Sequence, residues 1–176
     1  MLEIEAKIKV SSIEPVKEIL KEKKAEFLGI SIQKDTYYNA PQRDFAETDE
    51  ALRIRDNGAG FELTYKGAKL RGTDAKAREE FNLDIGSAKE MEEILLRLGF
   101  RKTSIVSKKR EEYSYRKTTI ALDNVEDLGE FIEIEIISDD KDSALKQIDS
   151  VKTELGICGK NIPQSYLEML LEKNNS

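Results

Sequence analysis

The chain has no histidine, no tryptophan, one cysteine and three prolines, and nowhere does it run 18 apolar residues in succession. Each absence excludes something. Without histidine there is no Ser-His-Asp or Cys-His nucleophilic machinery, no zinc site built on imidazole and no histidine general base. Any chemistry must run on carboxylates, lysine, arginine, tyrosine or a metal-bound water. The lone Cys158 cannot close an internal disulfide, which predicts a reduced intracellular chain with Cys158 as a small packing residue. No segment is long and apolar enough to span a bilayer, and no signal-peptide pattern opens the sequence. A cytoplasmic protein with no membrane partner is expected.

The 176 residues suit one domain, 1–176, and 39% of them are apolar, enough for a core. Charged residues reach 36%, well above the usual ~25%, and they are spread along the chain. The net charge is −6. A globally acidic surface argues against a nucleic-acid partner, which requires a positive footprint. An anion site must therefore be a local basic cluster.

Hydrophobic periodicity divides the chain into alternating strands and a few helices. Strands are expected over 2–10, 26–38, 51–56, 61–66, 78–85, about 100–115, about 118–125 and 130–136. Asn57-Gly58-Ala59-Gly60 reads as a hairpin turn, with another near Arg116-Lys117. Helices are expected to about Lys24 after a Ser11 or Ser12 cap, over 88–98 after Ser87, over 141–155, and from Pro163 to about Glu172. Between them lie a polar loop holding Pro41 and a loop over 67–75.

The opening strand, Glu3-Ile4-Glu5-Ala6-Lys7, puts Glu3, Glu5, Lys7 and Lys9 on one face and apolar residues on the other. Other strands repeat the division but segregate sign. Arg53 and Arg55 share one face, Lys66 lies on the charged face of their hairpin partner, and Lys108 and Arg110 share another, with Lys109 pointing away. Acids hold the polar faces elsewhere: Glu80, Asp123, and the pair Glu133 and Glu135. Either the apolar faces fill a barrel and the charges meet water, or helices cover the apolar faces and the charges line a tunnel. Amphipathic helices need apolar surface to cover, which favours the tunnel. The expected fold is α+β: a closed eight-stranded antiparallel β-barrel with a charged interior and helices packed outside. Two like charges 4 Å apart repel by roughly 4 kcal/mol at an effective dielectric near 20. Several cations in one tunnel therefore need acids or a bound polyanion, and a metal-bound triphosphate supplies one. Lys69 and Arg71 read as solvated loop residues, and Tyr37 and Tyr38 as packing residues.

The set Glu3-Ile4-Glu5-Ala6-Lys7, Lys34-Asp35-Thr36-Tyr37, Leu52-Arg53-Ile54-Arg55, Thr64-Tyr65-Lys66-Gly67 and Arg78-Glu79-Glu80 resembles the CYTH superfamily, the triphosphate tunnel metalloenzymes. The likeness continues through Lys108-Lys109-Arg110, Leu122-Asp123-Asn124-Val125, Leu128–Glu135 and Ser165-Tyr166-Leu167. The resemblance implies a tunnel binding a triphosphate and one or two Mg²⁺ or Mn²⁺ ions. It implies metal-side acids at Glu3, Glu5, Asp123, Glu133 and Glu135, and phosphate-side bases at Lys7, Arg53, Arg55, Lys66, Lys108 and Arg110. Glu5, Lys7, Arg53, Lys66 and Glu133 are expected to be catalytic. The late segments look most like class IV adenylyl cyclases, which implies conversion of ATP to cyclic AMP and pyrophosphate, and a homodimer. The alternatives are a triphosphatase acting on tripolyphosphate, thiamine triphosphate or a nucleotide, and a non-catalytic polyphosphate sensor.

Overall fold

A computed structural model of the chain describes residues 2–69 and 76–176. In chain order the elements are β1 (Leu2–Val10), α1 (Glu14–Glu22), β2 (Glu26–Asn39), α2 (Phe45–Thr48), β3 (Ala51–Asp56), β4 (Phe61–Lys66) and β5 (Lys76–Arg78). There follow β6 (Glu80–Ile85), α3 (Ala88–Arg97), β7 (Arg101–Tyr115), β8 (Thr118–Val125), β9 (Gly129–Ser138), α4 (Lys141–Glu154) and α5 (Tyr166–Asn174). All nine strands join one sheet in the order β5-β1-β9-β8-β7-β2-β3-β4-β6, antiparallel throughout.

This corrects the expected closed eight-stranded barrel. The stretch expected as one strand over 78–85 is two, interrupted at Glu79. β5 pairs with β1 and β6 with β4, so consecutive segments form opposite edges of the sheet. Among the described residues no ladder joins β5 to β6, and hydrogen bonds do not close the sheet. The edges meet through the chain itself at Glu79, whose carbonyl accepts from the Gly67 amide at 3.0 Å.

Ile4, Ile8, Ile120, Leu122, Ile132 and Ile134, on the outer faces of β1, β8 and β9, pack beneath Leu20 of α1 and Ile148 and Val151 of α4. α3 lays Leu95 over Tyr38, Leu52 and Ile54 of β2 and β3. The expectation that helices sit outside holds for these three. It does not hold for α5, whose Tyr166 packs with Val106, Val125 and Phe131 at one end of the charged face. Those three sheet residues make that end apolar, so a helix can seat there. Among the described residues no helix is long and apolar enough to cross a membrane.

Local chemistry explains most boundaries. Arg116 and Lys117 both adopt positive φ (49° and 62°), the backbone a tight β7–β8 hairpin requires. Ser87 caps α3, its hydroxyl accepting from the Glu90 amide. At α1 the expected Ser12 hydroxyl does accept from the first helical amide, that of Glu14, at 3.2 Å, although Ile13 holds the cap position; the Ile13 amide donates to Glu130 Oε2 of β9 at 2.8 Å. α2 breaks the expected loop, capped by Asp44. α5 begins three residues beyond Pro163, where Ser165 and Glu168 form a capping box.

Ile134 is fully buried beneath the helices. Ile134→Ala is expected to lower stability by about 2–5 kcal/mol, read from the midpoint of urea unfolding.

Candidate active site

Strand register decides which charges meet. β1 against β9 places Glu5 opposite Glu135 and Lys7 opposite Glu133. β7 against β8 places Arg110 opposite Asp123. β2 against β3 places Asp35 opposite Arg55, and β4 against β6 places Lys66 opposite Glu80. The sheet wraps these faces around a cavity of about 770 Å³, the size of an ordinary small-molecule site. Its walls include Glu3, Glu5, Lys7, Arg53, Arg55, Lys66, Lys108, Arg110, Glu133 and Glu135, ten of the eleven residues expected at a site. The eleventh, Asp123, lies fully buried behind the wall.

The charges sort into linked groups. Asp35 takes both forks of Arg55 at 2.7 Å and one Arg53 nitrogen at 3.4 Å. Asp123 accepts from Arg110 at 2.7 and 2.6 Å and from the Tyr166 hydroxyl at 2.7 Å, while Arg110 also pairs with Glu133. Lys7 lies 3.2 Å from Glu133 and 3.4 Å from Glu5, and donates to the Gln164 carbonyl. Lys66 bridges Glu3, at 3.1 Å, and Glu80. Tyr166 presents its ring to two cations, 4.1 Å from Lys7 Nζ and 5.0 Å from Lys108 Nζ.

Sequence reasoning gave no role to Asp35, Arg78 or Tyr166, although all three stood within motifs it used. Asp35 is the buried counter-ion of the two arginines; only the β2–β3 register reveals that. Arg78 is buried on the cavity wall opposite Glu3, and its place two residues before Glu80 was the available signal. Glu80 lines the cavity and also pairs with Lys66. Of the expected solvated pair, Lys69 instead joins Asp49 at 3.0 Å and Glu168 at 2.9 Å, and Arg71 lies outside the described residues. Tyr37 lines the cavity. Tyr38 is buried, and its hydroxyl donates to Glu92 at 2.5 Å.

Burial alone would raise the Asp35 carboxyl, but the Arg53 and Arg55 charges outweigh it and hold it well below the carboxylate range. Lys108 is pushed down to about 7, first by burial and then by Arg110. The opposite wall behaves differently. Burial, then the neighbouring Glu5, raises Glu135 to about 7. Burial and a hydrogen bond with Glu80 raise Glu3, while Glu80 is lowered by that bond and by Lys66. The acidic wall therefore holds more carboxylates than its own cations neutralise, and protons make up part of the difference.

That donor set fits a hard divalent cation, which takes carboxylate oxygens and would replace those protons. Among the described residues no three acids already stand close enough together to form a metal site. Glu3, Glu5, Glu133 and Glu135 are the cavity-lining acids available to hold one.

A buried cavity of interleaved acids and bases, inside a curled antiparallel sheet, marks the class of protein. The family model for the CYTH domain matches residues 1–166, and the chain belongs to that family. It is 40% identical over 173 residues to the Methanocaldococcus jannaschii protein named "Putative adenylate cyclase MJ0240", covering 96% of this chain and 98% of that one. It is 25% identical over 146 residues to "Adenylate cyclase CyaB" of Aeromonas hydrophila, covering 81% and 73%. The solved structure of the PH1819 protein from Pyrococcus horikoshii OT3 superposes with a TM-score of 0.86 at 40% identity, covering 97% and 99%.

The raised Glu135 carboxyl binds its proton more tightly in the folded than in the unfolded chain. The stability it contributes is fully present below pH 4.5 and is lost as the pH rises through about 7. Mn²⁺ should therefore raise the thermal midpoint more at pH 8 than at pH 5, and Glu135→Gln should shrink that difference. Melting curves at both pH values, with and without the metal, check it.

Proposed function

We propose that the chain is a metal-dependent adenylyl cyclase of class IV type, converting ATP to cyclic AMP and pyrophosphate in the cytoplasm. The observation that carries this reading is one buried cavity lined both by cations that match a triphosphate and by the carboxylates of Glu3, Glu5, Glu133 and Glu135, which match its metal. The names of the two curated relatives support the choice of cyclase.

Arg53 presents its guanidinium and Lys7, Lys66 and Lys108 point charges to the phosphate oxygens, while Arg55, Arg78 and Arg110 add positive charge to the cavity. Asp35 and Asp123 lie behind them. The first orients Arg53 and Arg55, the second Arg110, so these guanidinium groups are aimed before substrate arrives. An α-phosphorus held against these cations is attacked by the ribose 3′-oxygen. The new O3′–P bond forms as the bond to the β-phosphate oxygen breaks, and pyrophosphate leaves with its charge already matched by cations. With no histidine in the chain, the hydroxyl proton passes to a cavity carboxylate that does not hold the metal. Mg²⁺ or Mn²⁺ held by Glu3, Glu5, Glu133 and Glu135 would stabilise negative charge at the α-phosphate and make the hydroxyl more acidic.

A second reading uses the same cavity: water attacks a terminal phosphate, giving a triphosphatase. Arg55, a second buried positive charge beside Arg53, favours a firm hold on phosphate, and the Leu-Arg-x-Arg motif that carries it resembles that of triphosphatases.

Incubation with ATP and Mn²⁺, followed by product identification, separates the readings. Cyclic AMP with pyrophosphate is the expected result; ADP with orthophosphate would sink the cyclase in favour of the hydrolase. Binding of triphosphate without turnover under Mg²⁺ or Mn²⁺ would make the protein a sensor. Arg53→Ala is expected to lower turnover by roughly 10²–10³-fold, measured by initial rates, because it removes a cation aimed at developing charge.

A further inference from the structure

Within α5 only Tyr166 is buried, and the reaction proposed above gives it no part. Its contacts form a closed circuit of buried side chains. The hydroxyl donates to Asp123 Oδ2, and Asp123 holds Arg110 by both of its oxygens. Arg110 pairs with Glu133, and Glu133 with Lys7. Lys7 returns to the start, its Nζ lying over the Tyr166 ring. Lys108 joins the circuit from the side, over the same ring and 3.8 Å from Asp123 Oδ2. A second set of bonds fixes the chain that leads into α5. The Lys7 carbonyl accepts from the Ile162 amide at 2.8 Å, and Lys7 Nζ donates to the Gln164 carbonyl at 3.2 Å. The first residue of α5 is thus tied to the cations of the cavity by hydroxyl, by ring and by the backbone before it.

We infer that Tyr166 is a positioning residue for triphosphate binding, setting where Arg110, Lys7 and Lys108 stand. The inference rests on the reading of those cations as phosphate-binding. Each half of the side chain has its own task. The hydroxyl fills a lone pair of Asp123 Oδ2, the oxygen that also takes an Arg110 nitrogen. It fixes the carboxylate against Arg110 instead of letting it turn to Lys108. The ring stabilises two buried ammonium groups by its negative face. A carboxylate in that place would compete with an incoming phosphate for the same charge; an aromatic face does not. Capping of α5 at Ser165 brings Tyr166 to this point, so the helix start and the spacing of the cations are one arrangement.

Titration calorimetry of the full chain with inorganic tripolyphosphate in EDTA tests this, because a metal-dependent reaction does not run there. Tyr166→Phe keeps the ring and should weaken binding roughly 10-fold, the scale of a hydrogen bond to a charged group. Tyr166→Leu removes the ring as well and should weaken it roughly 100-fold, so phenylalanine recovers the share of the ring. Leu170→Ala separates positioning from helix seating. Leu170 packs α5 onto the same apolar end but lies outside the cavity wall. Its loss should lower the thermal midpoint and change affinity by less than about 2-fold, since no cation moves. Equal affinity in wild type and both Tyr166 variants overturns the proposal. So does a Leu170→Ala variant that weakens binding as much as Tyr166→Leu, because the effect then belongs to the seating of the helix. A wild type that binds no tripolyphosphate overturns the phosphate reading together with this role, whereas the Tyr166 arms test the role alone.

Discussion

The buried pairing of Asp35 with Arg53 and Arg55, repeated by Asp123 with Arg110, is what the rest of this molecule is arranged around. Ions taken from water cost several kcal/mol each unless partners compensate them. A sheet that turns its charged face inward must therefore solve that problem strand by strand. It does so by register: Glu133 meets Lys7, Asp123 meets Arg110, Asp35 meets Arg55, and Glu80 meets Lys66. Once the charges are inside, the alternate residues of each strand must face outward. α1, α3 and α4 then follow as the covers an outward apolar surface needs.

Compensation is uneven, and the unevenness points to chemistry. On the basic wall, Asp35 and Asp123 sit behind the arginines and hold them in place. On the acidic wall Glu3, Glu5, Glu80 and Glu135 crowd together, and burial with mutual repulsion drives Glu3 and Glu135 toward holding protons. A cavity that buries acids among bases in this way offers oxygen ligands for a cation and positive charge for an anion. The same imbalance accounts for Lys108 being pushed down to about 7, since burial beside Arg110 disfavours its charge until an anion arrives.

α5 contributes a different constraint. It closes one end of the cavity with Tyr166, whose ring meets Phe131 at 5.1 Å between centroids and whose hydroxyl reaches Asp123. One side chain thus joins the apolar end of the inner face to the charged groups, placing a ring beside Lys7 and Lys108. The capping box at Ser165 and Glu168 starts the helix at the point where its first residue can do this.

Much of this was legible in the residues. Period-two alternation located the strands, and sign segregation marked the polar faces as something other than solvated surface. The motif set brought ten of the eleven expected site residues to one cavity. Other features were not legible, and three of them show the reason in long-range geometry. The break at Glu79 splits an unbroken alternating run, because its two halves serve opposite edges of the sheet. Asp123 has the alternation of a wall residue, yet Arg110 and Tyr166 bury it, and only the packing of α5 decides that. At the start of α1, Ser12 takes the Glu14 amide as a reading of neighbours expects, but the Ile13 amide is held by Glu130, more than a hundred positions away. By itself the sequence determined which side chains share a face and which faces carry charge, since both follow from the two-residue period of a strand. The tertiary structure alone decided which acid meets which base, because register and helix docking are set by contacts between segments far apart in the chain.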